Sequence, residues 1–422
     1  MTEPKPARTP ELPAAGSPVR PPERASGRPP VRVGLLSLGI GLAAAGVGAA
    51  LGVAVERVTA GRGLLSGQDV DDDGENYGDL HTPAVAVAAD DGVALHVEVE
   101  EPDAEHAARI ARGEQAPVTV VLSHGYALSM DAWHFQRKAL RGRHRLVLWD
   151  QRGHGRSGTG EPGSATIDQV GRDLGAVIDA VAPDGPLVLV GHSMGGMTVM
   201  ALADRRPGLF AGRVLGVALV STSAGGLAEV DLGVARMGRL VQRAAPGALR
   251  VLNRTPRLVQ RARTLGSDLE SVLVRRYSYA SDVSPALVRF TAHMIAATRL
   301  EVIADYLPTF SAHDKRAALA ALDGIEVLVI VGDHDLMIPA EHSEAIVDAL
   351  PGAEHVVVRD AGHLMLLEHP DVVTEHLVGL IDRALRSAAG RPDSPPGRGR
   401  PGVRRTVTSL RRRARSRGQG VA

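Results

Sequence analysis

The feature that most constrains the fold is a regular alternation of short apolar runs and helical patterns between residues 81 and 386. The pattern AVAVAADDGVALHVEVE reads as two strands around an Asp-Asp-Gly turn. The strand candidates that follow are VTVVL, RLVLW, LVLV, VLGVALV, EVLVIV and EHVVVRD. Because strands that alternate with helices form a mainly parallel sheet covered on both faces, the sequence predicts an α/β fold with eight strands.

The alternation stops between about residues 224 and 320, where the sequence is rich in Arg and Leu and mostly helical in pattern. We interpret this stretch as a helical cap inserted between strands 6 and 7. The predicted globular domain, with its cap, covers residues 81–388.

The N-terminal region divides into three parts. Residues 1–32 are rich in Pro and Arg without apolar periodicity, which predicts disorder. Residues 33–55 carry no charge, and a helix of that length reaches about 34 Å, enough to cross a bilayer. A cleaved signal peptide and a soluble or disordered segment are the alternatives to this transmembrane helix or signal anchor. Residues 56–80, with the run DVDDDGE, are predicted to form an acidic linker.

The distribution of charge predicts location and partners. Six Lys or Arg precede the apolar segment and two follow it within residues 56–80. The positive-inside rule then places the main domain outside the cytoplasm, with a secreted or cytoplasmic protein as the alternative. Residues 389–422 hold ten arginines and are predicted to be disordered. This tail could attract anionic lipid, but nothing indicates specific nucleic-acid binding.

The stretch LVLVGHSMGG contains the pattern G-x-S-x-G in the context that gives it meaning, with a strand before it and a helix after it. A sharp strand-to-helix turn exposes the Ser193 hydroxyl, and side chains at Gly191 and Gly195 would collide with the neighbouring strand and helix. Ser193 is therefore the candidate nucleophile.

A nucleophilic serine needs a base, and the base needs an orienting acid. The strand EVLVIV is followed by Asp333 and Asp335, and the strand EHVVVRD by His363. Active sites of open α/β sheets collect at these strand ends. We select His363 as the base and Asp335 as the acid, because Asp335 lies further out on its loop and Asp333 fits a turn-stabilising role.

The oxyanion hole is predicted from two main-chain amides. In this kind of fold one N–H comes from the loop after the first parallel strand and one from the residue after the nucleophile. These residues are Tyr126, in SHGYALS, and Met194. The chain has no cysteine, and no metal-ligand or dinucleotide-binding pattern occurs in it, so we predict neither a metal nor a cofactor.

Taken together, SHGYALS, WDQRGHGRS, GHSMGG, VGDHDLMIP and AGHLMLLEHP resemble the α/β-hydrolase superfamily, in its branch of serine esterases, lipases and cofactor-free perhydrolases. The resemblance implies an eight-stranded sheet whose second strand is antiparallel. It implies Ser193 as nucleophile, Asp335 as acid and His363 as base. The composition, heavy in Ala, Gly and Arg, resembles that of a GC-rich bacterium such as an actinomycete.

The expected function is cleavage of small apolar carboxylic esters through an acyl-enzyme. Cofactor-free perhydrolase or haloperoxidase chemistry and C–C bond hydrolysis are the alternatives that use the same motifs. A binding protein that retains the fold without turnover is the alternative from another class.

Overall fold

The computed structural model describes residues 73–227, 273–390 and 404–407. The predicted disordered segment 1–32 and the predicted membrane segment 33–55 lie outside these residues, as do part of the linker and residues 228–272 of the cap. Among the described helices, none is both long enough and apolar enough to cross a membrane.

The described strands form a single sheet. They are β1 Ala84–Ala88, β2 Ala94–Glu100, β3 Thr119–Ser123, β4 Arg145–Trp149, β5 Leu187–His192, β6 Val214–Val220, β7 Glu326–Gly332, β8 Glu354–Val358 and β9 Arg404–Val407. Their order in the sheet is β1-β2-β4-β3-β5-β6-β7-β8-β9. Strand β2 is antiparallel to β1 and β4, and the pairs from β3 to β9 are parallel. The eight predicted strands and the antiparallel second strand are therefore confirmed.

Strand β9 is an addition to the predicted fold. It lies within residues 389–422, for which we predicted disorder, and pairs in parallel with β8 from His355 opposite Arg404 to Val358 opposite Val407. The short run that contains Thr406 and Val407 can extend the sheet because the free edge of β8 offers unpaired backbone groups. A polar, arginine-rich sequence gave no periodic signal for this pairing.

Helices cover both faces of the sheet. They are α1 Ala104–Ala111, α2 His134–Leu140, α3 Ile167–Val181, α4 Met194–Arg205, α5 Pro207–Gly212, α6 Pro285–Ala297, α7 Leu300–Ala312, α8 Ala340–Ala349, α9 Met365–Glu368 and α10 Pro370–Ala389. Short 3₁₀ helices span Met130–Trp133 and Ala317–Leu322. In β3, Val120 and Leu122 enter one apolar cluster and Val121 enters the other, so every residue of this strand is buried. Helices α6 and α7 belong to the insertion between β6 and β7, as predicted.

The part of the linker that the structure describes packs on the domain. The ring of Tyr77 stacks on Phe290 of α6 with 5.1 Å between centroids, and its hydroxyl donates to Asp73. Glu75 accepts from Lys138 of α2 at 2.7 Å. Residues 73–80 therefore join α2 to the cap helix α6, and ordered packing extends N-terminal to the predicted domain boundary at residue 81.

Candidate active site

Ser193 occupies the turn between β5 and α4 in a backbone conformation that non-glycine residues rarely adopt, with φ 53° and ψ −119°. Its neighbours explain the flanking glycines. A Cβ on Gly191 would lie 2.4 Å from the carbonyl carbon of Gly195, and a Cβ on Gly195 would lie 2.1 Å from the backbone oxygen of Ser123. Glycine at both positions is therefore what makes this tight turn possible.

The strained backbone of Ser193 is held from both sides. Its N–H donates to the carbonyl of Val220 at 2.9 Å. Its carbonyl accepts from the Thr222 hydroxyl at 2.7 Å. Val220 ends β6 and Thr222 lies just after it, and β6 pairs with β5. The sheet therefore fixes the direction in which the serine side chain leaves the turn.

The structure brings Ser193, His363 and Asp335 together from three separate strand ends. The Oγ of Ser193 lies 3.0 Å from Nε2 of His363, and Nδ1 of His363 lies 2.9 Å from Oδ2 and 3.1 Å from Oδ1 of Asp335. All three residues are buried. A carboxylate at this distance keeps the imidazole proton on Nδ1 and leaves the lone pair of Nε2 facing the serine hydroxyl.

Asp335 is itself held in place by the turn that follows it. Its Oδ1 accepts from the amides of Met337 and Ile338, each at 2.9 Å. Asp333 lies apart from this arrangement, since its Oδ1 contacts His334 at 2.7 Å and the amide of Ala361 at 3.4 Å. The geometry therefore gives Asp335, and not Asp333, the contact with the imidazole.

The loop that carries Tyr126 is oriented by a buried histidine. Nε2 of His124 accepts the N–H of Gln151 at 2.9 Å, so the ring proton lies on Nδ1, which donates to the carbonyl of Gly125 at 2.7 Å. Burial lowers the pKa of His124 to about 4, which keeps this neutral tautomer at pH 7. Because C=O and N–H of a trans peptide point in opposite directions, the Tyr126 amide is directed away from His124.

The amide of Met194 stands at the first turn of α4, directly after Ser193. Amides at such positions have no partner within their own helix. Within the described residues, neither the Met194 amide nor the Tyr126 amide donates to a protein acceptor. Two amides without a protein acceptor, one of them on the residue after Ser193, are the kind of donors that an oxyanion requires.

Two further residues support this loop and were missed by the sequence analysis. The side-chain amide of Gln151 donates to the carbonyl of His124 at 2.5 Å and accepts from the hydroxyl of Thr198 at 2.6 Å. Gln151 is the second residue after β4, and its wholly buried amide links the Tyr126 loop to α4. The available signal was a polar residue at a strand end, in the motif WDQRGHGRS.

The other charged residues of that motif stabilise loops. Arg152 pairs with Asp173 at 2.6 Å and with Asp91 at 2.7 Å. Asp150 accepts from the amides of Met130 and Arg156, and burial raises the pKa of its carboxyl. These contacts fix the glycine-containing loop beside the site.

The surroundings of the site are apolar. Cap helix α7 packs its side chains over the start of α4, and the buried members of this cluster are Ile167, Val170, Met194, Met197, Ala201, Val302, Tyr306 and Ile338. In the part of the chain that the structure describes, no three His, Asp or Glu side chains are grouped to hold a metal ion. The sequence prediction of no metal and no cofactor stays a prediction.

Comparison with known proteins finds a hydrolase fold family and relatives named as hydrolases. The sequence profile described as alpha/beta hydrolase fold matches residues 118–370. The chain is similar to the structure of an enol-lactonase from Burkholderia xenovorans LB400, with 25% identity and a TM-score of 0.54 over 71% of this chain and 100% of that one. It is also 27% identical to RutD of Azorhizobium caulinodans, provisionally named a carbamate hydrolase, over 63% of this chain and 91% of that protein.

Other relatives are much longer than the matched region. The polyketide synthase ThaQ of Burkholderia thailandensis is 28% identical over 70% of this chain, but the match spans 13% of that protein. Fold and relatives together support a hydrolase, and the bond that is cleaved is a matter for proposal. The actinomycete source expected from composition stays a prediction.

Proposed function

Since the chain belongs to the α/β hydrolase fold family, we propose that it is a serine hydrolase that cleaves carboxylic esters through an acyl-enzyme. The observation that carries the proposal is the continuous set of contacts from Asp335 through His363 to the Ser193 hydroxyl, with distances of 2.9 and 3.0 Å. This geometry allows a proton to leave the serine as its oxygen attacks a carbonyl carbon.

In the proposed mechanism, Oγ of Ser193 attacks the ester carbonyl and Nε2 of His363 takes the hydroxyl proton. The carbonyl C=O bond opens to an oxyanion, and the C–O bond to the leaving group then breaks as His363 returns the proton to the departing alcohol. A water molecule, deprotonated by His363, attacks the acyl-enzyme and releases the acid. Asp335 stabilises the imidazolium that forms in each half of the cycle.

The amides of Tyr126 and Met194 are proposed to stabilise the oxyanion. Each such donor contributes about 3 kcal/mol to transition-state stabilisation in enzymes of this chemistry. The hydrogen bond from His124 to the Gly125 carbonyl supports this assignment, because it keeps the peptide from rotating its N–H away from the site.

A neutral, apolar ester is the proposed substrate class. The residues packed around the start of α4 are aliphatic, aromatic or methionine side chains. The imidazoles of His124, His154 and His192 are buried, and burial lowers the pKa of each, so they stay uncharged at pH 7. The likeness to an enol-lactonase also supports ester chemistry, since a lactone is a cyclic ester.

We also propose a location for the chain and a partner for its tail. Residues 33–55 would anchor the chain in a membrane with the catalytic domain outside the cytoplasm, and the arginine-rich tail would lie near anionic lipid. Both rest on sequence alone.

An ester chain-length series tests the proposed function. We expect the purified full chain to hydrolyse p-nitrophenyl esters, with an initial burst of p-nitrophenol, and Ser193→Ala to lose turnover by at least about 10³-fold. A parallel assay with peroxide and acetate measures perhydrolysis. Equal ester hydrolysis by the wild type and Ser193→Ala would refute the proposal, and activity confined to the peroxide assay would favour the perhydrolase alternative.

A further inference from the structure

Glu368, the last residue of α9, binds two parts of the chain that lie far apart in sequence. Its Oε2 accepts the N–H of Gly362 at 2.6 Å. Its Oε1 accepts the N–H of Ala280 at 2.8 Å and also the N–H of Ser281. One carboxylate therefore joins the residue before His363 to the cap segment that precedes α6.

The peptide groups around His363 are held on both sides. The amide of Leu364 donates to the carbonyl of Ser278 at 2.9 Å, and Nε2 of His192 donates to the carbonyl of His363 at 3.0 Å. With Glu368 on the amide of Gly362, a backbone group of each of three consecutive residues has a fixed partner. Of these three contacts, only the one to the Gly362 amide comes from a half-exposed side chain, that of Glu368, and can be removed by substituting such a residue.

The cap segment and the His363 loop are also in tight contact. A Cβ on Gly362 would lie 2.7 Å from the carbonyl oxygen of Ser278 and 2.9 Å from Cα of Tyr279. The two segments are therefore closely packed, and the Glu368 carboxylate acts together with the bond from the Leu364 amide to the Ser278 carbonyl to keep them from moving apart. The position of the imidazole therefore follows the position of the cap.

We propose that Glu368 is a positioning residue for the base: it fixes His363 relative to Ser193 by joining the His363 loop to the cap segment 278–281. The inference rests on the proposed function, because it assigns Glu368 an effect on a proton transfer between Ser193 and His363. Glu368 does not touch the reacting atoms and acts through the backbone of Gly362.

The substitution Glu368→Gln removes one half of this link while it preserves shape. The carboxamide has one oxygen and one NH₂ group, whereas every partner of Glu368 is an N–H donor. The oxygen remains favourable toward the two donors Ala280 and Ser281, which turns the NH₂ group toward the Gly362 amide. The Gly362 amide then loses its acceptor, and the His363 loop keeps only the bond from the Leu364 amide to the cap segment.

We expect kcat for p-nitrophenyl butyrate to fall about 10- to 100-fold in Glu368→Gln, with KM changed by less than about threefold, because small displacements of a catalytic group cost this much. Phosphorylation of the site by diethyl p-nitrophenyl phosphate should slow by the same factor, while its final stoichiometry stays near one per chain. The final stoichiometry measures the fraction of chains with an intact site. Unfolding would lower that stoichiometry, so it can be distinguished from a slower reaction at an intact site.

The matched control is Glu375→Gln, the same change at an exposed position of α10. It should leave kcat and the phosphorylation rate unchanged. If Glu368→Gln yields no folded protein, Glu368→Asp retains the charge but is one methylene too short to reach both segments, and the same loss of rate is expected. Wild-type kcat and phosphorylation rate in a folded Glu368 variant would overturn the inference.

Failure of the inference differs from failure of the proposed function. If Ser193→Ala is inactive and Glu368→Gln is fully active, the function stands and the positioning role falls. If Ser193→Ala retains activity and is still phosphorylated by the reagent, the proposed function falls and the positioning role falls with it.

Discussion

Replacing Asp335 with asparagine tests how the acid controls the proton on His363. Oδ1 of Asp335 accepts two amide N–H groups, from Met337 and Ile338. In Asp335→Asn the side-chain oxygen must take that position, because an NH₂ group there would face two donors. The NH₂ group therefore replaces Oδ2, 2.9 Å from Nδ1 of His363.

The consequence is a change of tautomer. The NH₂ group can only donate to Nδ1, and Oδ1, 3.1 Å from Nδ1, already accepts two amides, so the ring proton moves to Nε2 and points at the Ser193 hydroxyl. That imidazole cannot accept the serine proton. A wrong tautomer of this kind lowers kcat by about 10⁴, which corresponds to about 5 kcal/mol of transition-state stabilisation.

The assay is p-nitrophenyl butyrate hydrolysis per site titrated with diethyl p-nitrophenyl phosphate, in Asp335→Asn and in the matched control Asp333→Asn. The control makes the same change two residues away, where the carboxylate contacts His334 and Ala361. We expect it to stay within about threefold of wild type. More than about a tenth of wild-type kcat in Asp335→Asn, or an equal loss in Asp333→Asn, would refute the reasoning.

Three further predictions concern the turn, the cap and pH. Gly195→Ala should abolish activity and reduce soluble expression, since its Cβ would lie 2.1 Å from the backbone oxygen of Ser123, and activity near wild type would argue against the turn geometry. Tyr126→Phe removes the bond from its hydroxyl to the Ile303 carbonyl of α7, so thermal unfolding should show a loss of about 1 kcal/mol while kcat stays within about threefold. Because burial lowers the pKa of His124 to about 4, the unfolded chain binds more protons between about pH 6.5 and 4, and stability should fall as pH decreases through that window. Between pH 7 and pH 5 this single group should lower the free energy of unfolding by about 2 kcal/mol. Urea unfolding at the two pH values measures this difference, and unchanged stability would contradict the prediction.

The strand ends that carry the site could be predicted because their signals are local. Apolar runs mark β5, β7 and β8. Ser193 directly follows β5, and Asp335 and His363 lie in the loops that follow β7 and β8. Because these strands run parallel, their carboxyl ends lie at the same edge of the sheet, and the fold therefore brings the three residues close together. The choice of Asp335 over Asp333 followed from loop position and agrees with the contact to His363.

Contacts between distant segments could not be predicted in the same way. Glu368 accepts from an amide 88 residues away, and nothing in the sequence around Ala280 indicates that its amide needs an acceptor. Tyr77 lies in an acidic stretch without apolar periodicity, yet its ring packs on Phe290 of the cap. Such pairings depend on how the cap sits on the sheet, which helical periodicity does not specify.

The most direct test of the central claim is to identify the residue that is modified by a reagent whose covalent product resembles the acyl-enzyme. The full chain is treated with diethyl p-nitrophenyl phosphate, digested, and mapped by mass spectrometry, with Ser193→Ala treated in parallel. The account predicts a single diethylphosphoryl group on Ser193 in the wild type, loss of esterase activity in step with its formation, and no rapid labelling of Ser193→Ala. Stoichiometric labelling of another residue, or full activity after complete modification of Ser193, would contradict it.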